Sequence, residues 1–176
     1  MDLSENRLRN ITLNAPNLVT FKAESNELKT FPRMLVTRPA CELCAESGRL
    51  KKILLRDNKI ASLPASFGDL ASDAALENLD LAYNDLDALP AALCELRSLT
   101  KLDLHQNNRM ASVSPDVAFL ANVELLKLAW NNITKLPDGV GRKTLADGTA
   151  ATNALRVLEL DGNAYFRPSG DLARWV

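Results

Sequence analysis

The sequence holds one histidine, His105, in 176 residues, and only three cysteines. A lone histidine, with no carboxylate cluster in a pocket-like context, leaves little for acid–base catalysis. Net charge is −1, so there is no electrostatic footprint for nucleic acid. No apolar run approaches the ~18 residues that a membrane span needs. The chain starts MDLSENRL, without the charged and apolar regions of a signal peptide. Cys41 and Cys44 form a C-x-x-C, but zinc takes four ligands and His105 lies two to three repeats away. Neither metal nor cofactor is therefore expected. Gly139-Val140-Gly141-Arg142-Lys143-Thr144 has the composition of a phosphate loop. It lacks the four-residue spacer and the preceding strand, so it reads as a polar loop. Asn10-Ile11-Thr12 and Asn132-Ile133-Thr134 match the glycosylation sequon, a pattern short enough to arise by chance.

What the chain does have is repetition. Asn6, Asn26, Asn58, Asn84, Asn107, Asn131 and Asn163 each end one copy of a short leucine-rich pattern. The clearest copies are LKKILLRDNKI (50–60), LENLDLAYNDL (76–86), VELLKLAWNNI (123–133) and LRVLELDGNAY (155–165). In each, an L-x-L segment has the period of a strand, so its two apolar residues share one face. Leu79 and Leu81, Leu102 and Leu104, Leu126 and Leu128, and Leu158 and Leu160 are such pairs. One repeat cannot bury them alone, and stacking repeats can. The asparagine falls where the chain leaves the strand. Its amide both donates and accepts, so seven in register form a ladder that satisfies turn backbone.

Further on, Phe31-Pro32, Leu63-Pro64, Leu89-Pro90 and Leu136-Pro137 follow four of the asparagines at a fixed offset. Proline suits a turning, non-sheet segment. Apolar residues then mark the return path: Phe67, Leu93, Val117 and Val140. Leu93, Leu96 and Leu99 are spaced by three, which fits a short helix or 3₁₀ turn.

LPAALCELRSLTKLDLHQN (89–107) resembles the roughly 23-residue repeat of intracellular leucine-rich repeat proteins, including Ras-pathway scaffolds. The end, LRVLELDGNAYFRPSG, is similar to the last repeat of the leucine-rich repeat-containing protein 40 family, with Ala164-Tyr165 in place of its Pro-Phe. The resemblance implies an α/β solenoid. A parallel sheet lines its concave face, with short helices, 3₁₀ turns and loops on the convex face. Residues 1–176 then form one domain of about seven repeats. Secreted members close their ends with disulfide caps, and Cys41, Cys44 and Cys94 form no such cap. A cytoplasmic location is expected.

Gaps between the asparagines are 20, 32, 26, 23, 24 and 32 residues. The two long gaps place insertions within 33–49 and 138–154, each either a binding loop or a tolerated loop or extra helical turn. The extra residue at Asn107-Asn108 reads as a bulge that lets Met110 replace the usual leucine. No polar cap precedes Leu3, and Tyr165, Phe166, Trp175 and Val176 are apolar near the other end. The expectation is a piece of a longer array, or ends covered by a partner or by self-association.

Residues between the inward leucines point out of the sheet and align in columns. One column is Thr20, Lys52, Asn78, Lys101, Leu125 and Val157. The next is Lys22, Leu54, Asp80, Asp103, Lys127 and Glu159. Then come Glu24, Arg56, Ala82, His105, Ala129 and Asp161, and last Ser25, Asp57, Tyr83, Gln106, Trp130 and Gly162. Tyr83 and Trp130 share a column two repeats apart, about 10 Å at strand spacing. Beside Ala82 and Ala129 they suggest an anchor pocket, since Trp and Tyr dominate binding hot spots. The plainer alternative is two amphipathic side chains on a strand edge. Charge is sorted too: Lys22, Lys51, Lys52 and Arg56 precede Asp80, Asp103, Glu124, Glu159 and Asp161. The expected activity is non-enzymatic binding of a partner protein on the concave face, without nucleic acid, membrane or small-molecule substrate. The expected site residues are Arg56, Asp80, Tyr83, Asp103, His105, Lys127, Trp130 and Glu159. A structural subunit of a large assembly, or a regulatory segment of a larger signalling protein, are the alternatives.

Overall fold

The structure, a computed structural model, describes residues 1–15, 18–34, 50–65, 76–89, 93, 96–115, 120, 122–137, 140, 143–144, 150–151, 154–164 and 166. Its strands are short. They begin with β1 (Thr12–Leu13), β2 (Thr20–Lys22), β3 (Arg33–Met34) and β4 (Lys52–Leu54). Next come β5 (Asn78–Asp80), β6 (Ala88–Leu89), β7 (Lys101–Asp103) and β8 (Ser112–Val113). The last are β9 (Leu125–Lys127), β10 (Lys143–Thr144), β11 (Ala150–Ala151) and β12 (Val157–Glu159).

Six of these form one parallel sheet in the order β12-β9-β7-β5-β4-β2, which is repeat order. Register follows the sequence columns: Thr20 pairs Lys52, then Asn78, Lys101, Leu125 and Val157. Asp2 adds a parallel bridge to Lys22. The middle residue of each of the first five strands (Phe21, Ile53, Leu79, Leu102, Leu126) is buried, and Leu158 packs partly buried against the same core. Ala23, Leu55, Leu81, Leu104 and Leu128, two residues on, share that face and that burial. Each leucine so placed contributes about 1.5–3 kcal/mol against exposure.

The asparagine ladder is present. Asn84 Nδ2 donates to its own repeat's Leu81 carbonyl at 3.0 Å and to the preceding repeat's Leu55 carbonyl at 3.0 Å. Its Oδ1 accepts the Ile60 N–H at 2.9 Å. Asn26, Asn58, Asn107, Asn131 and Asn163 repeat this double reach. Asn6 is exposed and, among the described residues, bonds only within its own turn, to Leu3 and Ser4. The extra residue after Asn107 shifts one rung. Asn131 Oδ1 accepts the Asn107 N–H itself, and Met110 is fully buried in the leucine position.

On the return side, the spacing of three gives three-residue turns: the Leu96 N–H bonds Leu93, and the Leu99 N–H bonds Leu96, both at 3.1 Å. Among the described residues there is no α-helix. The segments beside the prolines are not free of sheet, as the proline pattern had suggested. Parallel pairs β1–β3 and β6–β8 form there, β3 following Pro32 and β6 ending at Leu89, in register with Val113. Proline excludes pairing through its own nitrogen, not pairing by its neighbours on either side. In the second insertion β10 and β11 pair antiparallel, with Lys143 opposite Ala151 and Thr144 opposite Ala150. Within the insertions residues 35–49, 138–139, 141–142, 145–149 and 152–153, with Cys41 and Cys44 among them, lie outside the described residues, as do Cys94, Phe67, Val117, Tyr165, Trp175 and Val176.

Candidate functional site

One backbone feature governs the concave surface. The residue before every asparagine of the ladder has positive φ: Glu5, Ser25, Asp57, Tyr83, Gln106 and Trp130 at 51–58°, and Gly162 at 74°. The left-handed conformation costs an L-residue roughly 1–2 kcal/mol. After Ser25, Asp57, Tyr83, Gln106, Trp130 and Gly162 it turns the chain so that the following asparagine is buried, while Asn6 after Glu5 stays exposed. Tyr83 and Trp130 are thus not ordinary strand residues. They stand at a turn, 40% and 59% exposed, on the rim of the sheet.

Around Tyr83 the side chains form a connected cluster. The Arg56 guanidinium carbon sits 4.2 Å from the Tyr83 ring centroid. His105 meets the same ring edge-on, with centroids 4.9 Å apart and planes at 84°. Arg56 Nη1 lies 3.2 Å from His105 Nε2, and His105 Nδ1 lies 2.6 Å from Asp103 Oδ1. A guanidinium only donates. His105 Nε2 must therefore accept from Arg56, which leaves the proton on Nδ1, donated to Asp103. Asp80 pairs with Asp103 across β5 and β7, and its Oδ1 accepts the Ala82 N–H. Burial raises the Asp80 carboxyl above its ordinary value. The Asp103 carboxylate adds to the rise, while the Ala82 N–H and Arg56 oppose it.

Towards the last repeats, Lys127 Nζ pairs with Glu159 Oε1 at 3.3 Å. Between the two aromatics lies an open recess of about 340 Å³, lined by Tyr83, His105, Gln106, Lys127, Ala129, Trp130, Glu159 and Asp161. Five of the eight expected site residues line it. Arg56 and Asp103 join it through Tyr83 and His105, and Asp80 lies beside Asp103 on the neighbouring strand. Gln106 and Asp161, which lie in the same columns, were not among the expected site residues. Gln106 Oε1 is buried with no hydrogen-bond partner among the described residues. Of the two alanines expected beside the aromatics, Ala129 lines the recess, but Ala82 has no exposed surface.

The charge gradient is partly neutralised in place. Lys51 pairs with Glu77 at 2.8 Å, Lys22 with Asp2 at 3.9 Å and Arg156 with Glu124 at 3.6 Å. The hydrogen bond from Lys51 lowers the Glu77 carboxyl. Among the described residues no group of three His, Cys, Asp or Glu is placed to hold a metal ion, and no helix is long and apolar enough to cross a membrane.

The comparisons agree with this architecture. A family model described as leucine rich repeat matches residues 48–108. The chain superposes on a leucine-rich repeat protein of Leptospira interrogans with a TM-score of 0.64, covering 98% of this chain and 38% of that one at 21% identity. Keratocan of Gallus gallus is 34% identical over 100 residues, 55% of this chain. A leucine-rich repeat and calponin homology domain-containing protein of Drosophila melanogaster is 46% identical over 59 residues, 34% of this chain. The chain spans 27% of the length of keratocan and 7% of the Drosophila protein. Ladder, register and matches together place this chain in the leucine-rich repeat family. Members of that family are generally non-enzymatic, and their fold commonly mediates protein–protein interaction.

Proposed function

We propose that this chain is a non-enzymatic interaction module that binds a partner protein across the rim of its concave sheet, centred on Tyr83 and Trp130. The observation that supports this reading best is the recess between the two rings. Exposed aromatics are costly to keep in water, and here both are held in place. Tyr83 lies between Arg56 and His105, and Trp130 lies against Gly162. Rings fixed in advance lose little entropy when a partner covers them. Arg56, Asp80, Asp103, His105, Lys127 and Glu159 surround them as a polar rim, the arrangement expected of a hot spot. A cytoplasmic location belongs to the same proposal and rests on the sequence positions of the three cysteines, which differ from the disulfide caps of secreted members.

Capture of a partner by immobilised protein, followed by mass spectrometry, tests the reading. Tyr83→Ala and Trp130→Ala each remove the captured partner, while an exposed change off the concave face, Arg97→Ala, keeps it. A partner retained by both aromatic variants shows docking elsewhere, as a subunit held by its ends or insertions requires.

A further inference from the structure

The geometry points to a specific ligand for the recess: a basic side chain, arginine before lysine, presented by a positively charged segment of the partner protein. This inference rests on the concave-face reading above and names what that face recognises.

Charge comes first. Lys127 is matched by Glu159, so the pair contributes no net charge to the recess. Asp161 is exposed, and its carboxylate has no ion-pair partner among the described residues. With His105 neutral, one carboxylate is in excess. An acidic ligand meets Asp161 and Glu159 and reaches Lys127 only by breaking the 3.3 Å pair. A cation meets no such obstacle.

Hydrogen bonding selects the same ligand. The Asp161 carboxylate only accepts, and it is exposed at the recess. A guanidinium brings five N–H donors in one plane, enough to meet that carboxylate in two parallel bonds.

The aromatic rings supply the third element. Tyr83 already holds a guanidinium within the chain, at 4.2 Å from its centroid. Trp is the stronger cation–π partner. Trp130 rests against Gly162 yet stays 59% exposed, so much of its ring surface remains unfilled. A planar cation stacked there lies within the recess that Gln106 and Asp161 also line.

A random twelve-residue peptide library selected against the full chain tests this. The expected pool is enriched in arginine and lysine. Trp130→Ala weakens its binding by tenfold or more, and Asp161→Asn by about fivefold. Replacing the enriched arginine by uncharged citrulline abolishes binding. Asp161→Asn changes an exposed side chain, so it also serves if Trp130→Ala disturbs the fold. A pool that is acidic or apolar, yet lost with Trp130→Ala, overturns the basic ligand and leaves the concave-face reading standing. A pool indifferent to Tyr83→Ala, Trp130→Ala and Asp161→Asn overturns both. Failure to enrich any peptide also overturns the basic ligand.

Discussion

The indole of Trp130 rests on Gly162, the residue at the same position one repeat later. A Cβ at Gly162 would lie 2.6 Å from Trp130 Cδ2 and 2.8 Å from Cε3, closer than atoms pack. Gly162 also has φ of +74°, where glycine is at ease. Gly162→Ala should therefore cost about 1–3 kcal/mol, from backbone strain and from the displaced ring. In a Trp130→Ala background only the strain remains, so the same change should cost less. Urea unfolding of the four proteins in this cycle measures the difference. Additive effects would show that the contact has no energetic weight.

The ladder predicts a contrast between two asparagines. Asn84→Leu strands the Ile60 N–H and takes one of two amide donors from each of the Leu55 and Leu81 carbonyls, which keep those of Asn58 and Asn107. It should cost on the order of 1–3 kcal/mol. Asn6 is exposed and bonded only locally, so Asn6→Leu should change stability by less than about 0.5 kcal/mol. Denaturant midpoints of the two variants check this.

His105 should be protonated on Nδ1 when neutral, because Arg56 can only donate to Nε2. It is the only histidine in the chain, so its ring nitrogens can be assigned without ambiguity. A long-range nitrogen–proton NMR spectrum should show the Nδ1–H tautomer. Arg56→Ala should leave the Nδ1–H tautomer in place, since the Asp103 carboxylate 2.6 Å away still accepts that proton. The Nε2–H tautomer in the unaltered protein would contradict the cluster.

Asp80 gives a pH prediction. Its folded value lies above 3.8, so the folded state keeps a proton that the unfolded state has released. Its ionisation therefore lowers stability as pH rises from about 3.8 through the folded value. Asp80→Asn removes that decline and keeps an oxygen for the Ala82 N–H. The variant should melt higher than the parent at about pH 7. The gap should close below about 3.8. A variant that melts lower at neutral pH would show that attraction to Arg56 outweighs burial and the Asp103 repulsion.

The regular part of this fold was legible because it depends on period alone. The pairing of Lys52 with Asn78, or of Asp103 with Lys127, follows once the leucines are aligned. The burial of Met110 after an extra residue followed in the same way. Contacts that cross repeats through long side chains were not legible. Arg56 reaches His105 over 49 residues of sequence, and that reach depends on rotamers and on the stacking of repeats. The left-handed turn had one signal, Gly162 in the column of Tyr83 and Trp130. It was masked because the other members of that column are not glycine. The buried oxygen of Gln106 had no signal at all, since glutamine on a sheet rim is ordinarily solvated. The strand pairs beside the prolines were missed because proline was read as excluding sheet from its neighbours.

The most direct test of the account is photo-crosslinking in cells that express the protein. A crosslinking residue is placed at Lys101, exposed on the concave sheet, and separately at Arg97, exposed off it. The account predicts a discrete protein adduct from position 101, absent from position 97 and lost when Tyr83 and Trp130 are both changed to alanine. An adduct from position 97 alone, or one from 101 that survives loss of both rings, would contradict it.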